Sequence, residues 1–220
     1  MIVKDLITNL VPPLKITDTI ELGLNWMEDY KVNHLPVVDG STYIGLVSES
    51  ELLNAEDIEK NIGTLASNFI RPIIKRDQHA YDAIKLISQL ELTLLPVVDD
   101  KEEFVGAVTQ RSVLEKMAGI TSVQEPGGII VLSMPSMDYN LTQIASIVET
   151  NDAKVLSVNV MSTPESREIE VTVKINREDL SRILQTFNRY NYNVIAAYHQ
   201  TQYEDNLKSR YNEFIKFINI

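Results

Sequence analysis

Along residues 12–60 the apolar positions alternate between helical spacing and the unbroken runs of a buried strand, and the same changes recur about sixty residues later. Pro12-Pro13 opens a short segment, Leu14-Lys15-Ile16, after which Thr17 or Asp18 can cap a helix whose Ile20, Leu24 and Met27 lie four and three apart. The helix ends near Val32-Asn33. Leu35 to Val38 is a continuous apolar run suited to a strand buried on both faces, Asp39-Gly40 turns the chain, and Tyr43 to Val47 returns as its hairpin partner. Ser48 then offers a hydroxyl to cap a second helix beginning near Glu49. The second passage runs through Pro72, Ile73-Ile74, Asp77 as cap, a helical face of Ala80, Ile84 and Ile87, and the strands Leu95 to Val98 and Phe104 to Val108.

The wording repeats along with the pattern. Leu35-Pro36-Val37-Val38-Asp39 returns as Leu95-Pro96-Val97-Val98-Asp99, and Gly45-Leu46-Val47-Ser48 returns as Gly106-Ala107-Val108-Thr109. The second hairpin carries one more residue, a cheap change in a turn. Residues 1–60 and 61–122 are therefore expected to be tandem β-α-β-β-α repeats packed as a pair.

After Gln124-Glu125-Pro126-Gly127-Gly128 the pattern differs, which places a boundary near residues 120–127. Ile129 to Met134 reads as a strand, and Leu141, Ile144, Ala145 and Val148 mark one face of a helix. Strands follow at Val155 to Ser162 and Glu168 to Ile175, the latter alternating Ile169, Val171, Val173 and Ile175 with Glu168, Glu170, Thr172 and Lys174. Asn176 with Asp179 has the spacing of a capping box, leading into Leu180, Ile183, Leu184 and Phe187 before a last strand, Val194 to Tyr198. The order βαββαβ over residues 127–201 predicts a ferredoxin-like unit. In residues 202–220 the stripe Leu207, Tyr211, Phe214 and Ile218 predicts an amphipathic helix that packs on the protein's own sheet or on a partner subunit. The fold class expected is α+β throughout.

Composition narrows the chemistry. With 220 residues and 44% hydrophobic content the chain can build sizeable cores, and it has no cysteine, so disulfides, thiolate metal sites and cysteine nucleophiles are excluded. The formal charge of −11, with no cluster of Lys and Arg, argues against nucleic acid as a partner. No membrane-length apolar run and no basic-then-apolar N-terminal segment stands in the sequence, which points to a cytoplasmic protein off the membrane.

The duplicated phrase, in the same order in both copies, resembles the CBS domain. That resemblance implies two modules paired about a pseudo-two-fold axis, with clefts that commonly bind adenosyl ligands such as AMP, ATP or S-adenosylmethionine and so regulate a partner. Carried over residue by residue, it implies cleft-lining roles for Ile16, Thr17, His34, Leu35, Pro36, Ser48 and Glu51 in the first copy. In the second it implies them for Lys75, Arg76, Asp77, Leu95, Pro96, Thr109, Arg111 and Ser112. The family pattern places an Asp three residues after the Ser or Thr, to accept both ribose hydroxyls; here Glu51 and Ser112 stand there instead. A carboxylate is the stronger acceptor, so the first cleft is the better expected adenosyl site, while Arg111, Lys75 and Arg76 would meet phosphates. Helix capping explains Ser48 and Thr109, and solvation explains the cations, with no ligand at all.

The βαββαβ order and the turn into Asn151-Asp152-Ala153-Lys154-Val155 resemble the ACT domain, a regulatory module that often binds amino acids where two copies meet edge to edge. Aligning Leu141 with that family's leucine puts Tyr139 where its glycine would stand, which obstructs the usual pocket; neither Ser136 nor Asp138 is assigned as its acidic partner. A dimerisation platform is the simpler role. Two CBS repeats followed by an ACT-like unit are similar to the acetoin-utilisation AcuB-type regulators.

Catalytic groups do not converge in the sequence. His34, His79 and His199 lack metal-ligand spacing, and no GxSxG, Walker A or GxGxxG is present. The acidic runs at residues 49–51 and 99–103 read as solvated surface, and Trp26 as helix packing. The expectation is a non-enzymatic homodimer that requires no cofactor or metal and acts on an unidentified protein partner. The alternative is a ligand-free assembly adaptor.

Overall fold

A computed structural model describes residues 1–162 and 167–198, and the chain divides into two compact units, Met1–Lys116 and Met117–Ile220. The amphipathic segment expected at 203–219 lies outside the described residues.

In the first unit each repeat forms a three-stranded sheet. Strands β1 (Leu14–Lys15), β2 (His34–Asp39) and β3 (Thr42–Ser48) lie side by side, with α1 (Ile20–Tyr30) crossing from β1 to the parallel β2, and α2 (Glu49–Leu53) following β3. The second copy repeats this with β4 (Ile74–Lys75), α3 (Ala80–Gln89), β5 (Leu94–Val98), β6 (Phe104–Thr109) and α4 (Gln110–Ile120). Both copies of the repeated phrase supply one shared core: Leu35, Val37, Leu46 and Val47, with Leu95, Val97, Ala107 and Val108, are all fully buried. At about 25 cal/mol per Å² of apolar surface, each such leucine contributes about 2 kcal/mol.

The helix caps differ from expectation. Thr19, not Thr17 or Asp18, caps α1, accepting from Leu22 N at 3.2 Å, and His79, not Asp77, caps α3, accepting from Tyr81 N at 3.2 Å. The reason is a turn before each helix: Asp18 Oδ2 accepts from Lys15 N at 2.7 Å and Gln78 Oε1 from Lys75 N at 2.7 Å, which delays the first helical residue.

Two 3₁₀ segments, Val3–Leu6 and Ile62–Asn68, have no counterpart in the predicted elements, and they are exchanged between the repeats. Val3 N and Lys4 N donate to Gln78 O and Arg76 O of the second repeat, both at 2.9 Å. Ile62 N and Gly63 N donate to Asp18 O and Ile16 O of the first, at 2.8 and 2.9 Å. Further along, Thr8 bridges to Ala107 of β6 and Ile70 to Leu46 of β3. The repeated glycines allow this approach. A Cβ on Gly45 would stand 2.7 Å from Phe69 Cβ, and one on Gly106 2.5 Å from Ile7 Cγ2. Gly106 also holds a φ of +144°, a conformation that side chains rarely adopt. The hairpin tips join as well, Phe104 N donating to Ser41 O at 2.9 Å. Beside them Tyr43 is buried, its hydroxyl donating to Pro72 O at 3.2 Å, and burial pushes that phenol well above its ordinary range.

The second unit is an antiparallel sheet in the order β10-β7-β9-β8, built from β7 (Gly128–Pro135), α5 (Leu141–Glu149), β8 (Val155–Ser162), β9 (Glu168–Ile175), α6 (Ser181–Arg189) and β10 (Asn193–Tyr198). This is the ferredoxin-like topology expected. Val171, Val173, Ile175, Ile144 and Phe187 fill its core. The alternate face of β9 is less open than its polarity suggests: Lys174 is only 8% exposed, with Nζ donating to Gly127 O at 3.3 Å. The capping box expected of Asn176 and Asp179 does not form. Asn176 Oδ1 accepts from Lys154 N at 2.6 Å, Asp179 Oδ1 accepts from Ser181 N at 3.0 Å, and α6 has no side-chain cap. Among the described residues no helix is long and apolar enough to cross a membrane.

Candidate functional site

The hydroxyl that closes each repeated phrase sits at the end of a hairpin strand and at the start of a helix, and the two copies use the same reciprocal bonds. In the first, Glu51 N donates to Ser48 Oγ at 3.3 Å while Ser48 N donates back to Glu51 Oε2 at 2.7 Å. In the second, Ser112 N donates to Thr109 Oγ1 and Thr109 N to Ser112 Oγ, both at 3.1 Å. Each pair satisfies amide groups that a helix start leaves unpaired.

The side chains that complete these pairs differ. Glu51 Oε2 also accepts from Ser48 Oγ at 2.8 Å, so the carboxylate expected to receive ribose hydroxyls is held within its own cap. Ser112 Oγ instead donates to Thr109 O at 2.9 Å, a neutral closure. Beside the second cap lies a cleft of about 940 Å³ whose walls come from four places in the sequence. Thr109, Arg111, Ser112, Glu115 and Lys116 form one wall, residues 5–8 with Leu10 and Val11 a second, and residues 29–32 with Thr93 a third. The exchange of the N-terminal segment is what brings Asp5 and Thr8 there. Three cations, Lys31, Arg111 and Lys116, line it together with three carboxylates, Asp5, Asp29 and Glu115, and Arg111 Nε pairs with Glu115 Oε1 at 3.0 Å.

Of the residues singled out in the sequence, the structure gathers Thr109, Arg111 and Ser112 into this cleft. Lys75, Arg76 and Asp77 are exposed and are not among its lining residues. Lys75 Nζ reaches Asp100 Oδ1 at 2.7 Å, which holds the lysine above its ordinary range and the carboxyl below its own. Leu35, Pro36, Leu95 and Pro96 are buried strand residues. Ile16 packs against the core and Thr17 is exposed. His34 pairs with Ser48 across the β2–β3 ladder, and its Nδ1 lies 3.1 Å from Thr93 Oγ1 in the other repeat. Burial lowers the His34 pKa from its ordinary value, a shift partly opposed by the charge of Glu51.

Thr8, Lys31 and Thr93 were not marked by the repeated phrase. Lys31 ends α1 in the left-handed region at φ 55°, and Glu91 holds the corresponding position at φ 52°. Thr93 corresponds to Asn33, so a polar residue just before the phrase in both copies was the available signal.

In the second unit a smaller cleft of about 380 Å³ is lined by residues that include Asp138, Gln143, Glu168 and Tyr192. Tyr192 donates to Gln143 Oε1 at 3.0 Å, and burial raises its phenol. Tyr139 is partly buried against this unit's core, and Asn140 caps α5, accepting from Gln143 N at 3.1 Å.

Comparison with known proteins matches the CBS domain family model to residues 3–57 and 67–119. Inosine-5'-monophosphate dehydrogenase of Methanocaldococcus jannaschii is 24% identical over 150 residues, a match covering 68% of this chain and 29% of that enzyme. The chain thus spans less than a third of that relative's length. Among solved structures, a CBS domain pair/ACT domain protein from Thermotoga maritima is 25% identical with a TM-score of 0.48, over 54% of this chain and 98% of the other. An AcuB-like protein from Vibrio cholerae is 20% identical with a TM-score of 0.49, over 56% of this chain and 95% of the other.

Proposed function

The chain carries a tandem pair of CBS domains, and we propose that it is a non-enzymatic regulatory protein whose pair senses an adenosyl ligand: AMP, ATP or S-adenosylmethionine. The observation that carries this reading is the cleft beside the second cap, where Lys31, Arg111 and Lys116 line the same space as the hydroxyls of Thr8, Thr93 and Ser112. Its volume, about 940 Å³, lies within the roughly 300–1,000 Å³ range of small-molecule sites. Arginine and lysine suit phosphate oxygens by charge-assisted bonds, Leu6, Ile7 and Val11 offer apolar surface to a base, and Asp5 and Glu115 can accept hydroxyl or amino protons. The sequence favours the first cleft because of Glu51; the bonding of that carboxylate within its cap moves the weight to the second.

The mechanism is linkage. A ligand that touches residues 5–11 and the second repeat together favours one arrangement of the exchanged segment, and that arrangement passes to a separate regulated partner. The second unit serves as an ACT-type platform that joins two copies into a homodimer in the cytoplasm. Arg111→Ala is expected to weaken AMP and ATP binding about tenfold, whereas Ser112→Asp, which restores the family's carboxylate, is expected to strengthen it. Calorimetric titration of the full chain with AMP, ADP, ATP and S-adenosylmethionine provides the check, and silence with all four up to millimolar concentration sinks the sensor reading. One observation supports a second reading, an assembly adaptor: both caps close on their own side chains.

A further inference from the structure

His34 and Thr93 meet where β2 of one repeat begins beside the entry to β5 of the other. Thr93 N lies 3.3 Å from His34 Nδ1, and an amide nitrogen can only donate, so Nδ1 is the acceptor and the imidazole proton resides on Nε2. Thr93 Oγ1 accepts from Asn33 N at 2.9 Å, which leaves its own proton to be donated to Nδ1 at 3.1 Å. The bonds run one way, from Asn33 through Thr93 to His34, and tie the repeats together. Thr93 also lines the large cleft, and its carbonyl accepts from Gln110 N at 3.2 Å, the first residue of the helix that carries Arg111 and Ser112.

A proton on Nδ1 turns the acceptor into a donor: the bond from Thr93 N is lost, and the Thr93 hydroxyl, which keeps a second lone pair, must turn round to accept from the ring. The titratable groups near the ring come from a short list of elements. Glu51 on α2 favours the imidazolium, and Glu49 on the same helix accepts from Asn33 Nδ2 at 3.0 Å. On the segment entering β5 the nearest is Glu91, while the β3 and α4 residues at the site, Ser48 and Gln110, do not titrate.

We propose that His34 and Thr93 form a proton-sensitive clasp between the two repeats, tight while His34 is neutral and loosened when a proton on Nδ1 removes the bond from Thr93 N, and that the clasp sets the affinity of the cleft beside it. The gating of affinity rests on the sensor reading above; the clasp itself does not. Burial of the ring opposes its protonation in the folded chain. The unfolded chain therefore takes up the proton first, and stability is lost as pH falls below the unfolded value of about 6.5.

Imidazole nitrogen spectra of the full chain from pH 8 to 5 are expected to show the Nε2–H tautomer for His34 and a midpoint below about 6.5, with Thr93→Val raising that midpoint. An Nδ1–H tautomer at pH 7.5, or a midpoint that Thr93→Val leaves unmoved, overturns the clasp. His34→Asn supplies an acceptor that does not titrate. AMP titrated into wild type and His34→Asn at pH 7.5 and 5.5 is expected to lose more affinity in the wild type, by up to about tenfold, the limit set by one unit of linked titration. The comparison cancels the titration of the nucleotide's own phosphate, and equal losses overturn the gating. If AMP, ADP, ATP and S-adenosylmethionine all fail to bind either protein at either pH, the sensor reading fails, and the clasp is read from thermal unfolding. The wild type's midpoint should then fall further than that of His34→Asn between pH 7.5 and 5.5; equal falls overturn the clasp.

Discussion

The two caps, Ser48 with Glu51 and Thr109 with Ser112, share a backbone plan and differ in what the side chains leave over. Both exchange the same pair of amide bonds. The first encloses a charge and the second closes neutrally, beside a wide cleft whose walls carry three cations and three carboxylates. A duplicated phrase thus preserves the positions that fold each repeat and leaves the next turn free to diverge. Structure is held in common, and chemistry is local.

The comparison can be broken first at the positions where the repeats should behave alike. Leu35 and Leu95 are both fully buried in the shared core. Leu35→Ala and Leu95→Ala should each cost about 2–5 kcal/mol, by equal amounts, in urea unfolding; a large inequality would mean that the core serves one repeat more than the other. Gly45 and Gly106 should differ. Both face an exchanged segment, and only Gly106 carries the positive φ, so Gly106→Ala should cost about 1–3 kcal/mol and exceed Gly45→Ala in the same measurement. The smallest effect belongs to the caps. Glu51→Ala and Ser112→Ala each remove two side-chain bonds, those of Glu51 assisted by charge and those of Ser112 neutral, so the losses should fall within about 0.5–2 kcal/mol with Glu51→Ala the larger. The reverse order, again from urea midpoints, would place the stronger cap in the second repeat.

Much of this fold was legible where burial follows a regular period. The runs at Leu35 and Leu95, and the alternation from Ile169 to Ile175, mark strands because one pattern decides both conformation and burial. Val3–Leu6 and Ile62–Asn68 left no such mark: each is a short turn of 3₁₀ helix whose backbone partners lie in the other repeat, and periodicity records nothing about a distant partner. Cap positions shifted for a related reason, since the Asp18 carboxylate accepts from the amide of Lys15 behind it and Thr19 is left to cap the helix ahead. The candidate site was legible only along its second-repeat wall. Thr109, Arg111 and Ser112 follow from the phrase, but Asp5, Thr8 and Lys31 reach the cleft through the exchanged segment and the end of α1.

The exchange of residues near each repeat's leading edge also governs how the molecule can fail. Each repeat pairs its own three strands, but its outer hairpin strand and the turn before its first helix take backbone partners from the stretch that precedes the other repeat. A cut between the repeats would therefore strand both halves, and the severed pieces could complete one another only by meeting again, as two chains of an exchanged dimer do. Denaturant or heat meets one cooperative body here, in which a repeat cannot melt and leave its twin intact.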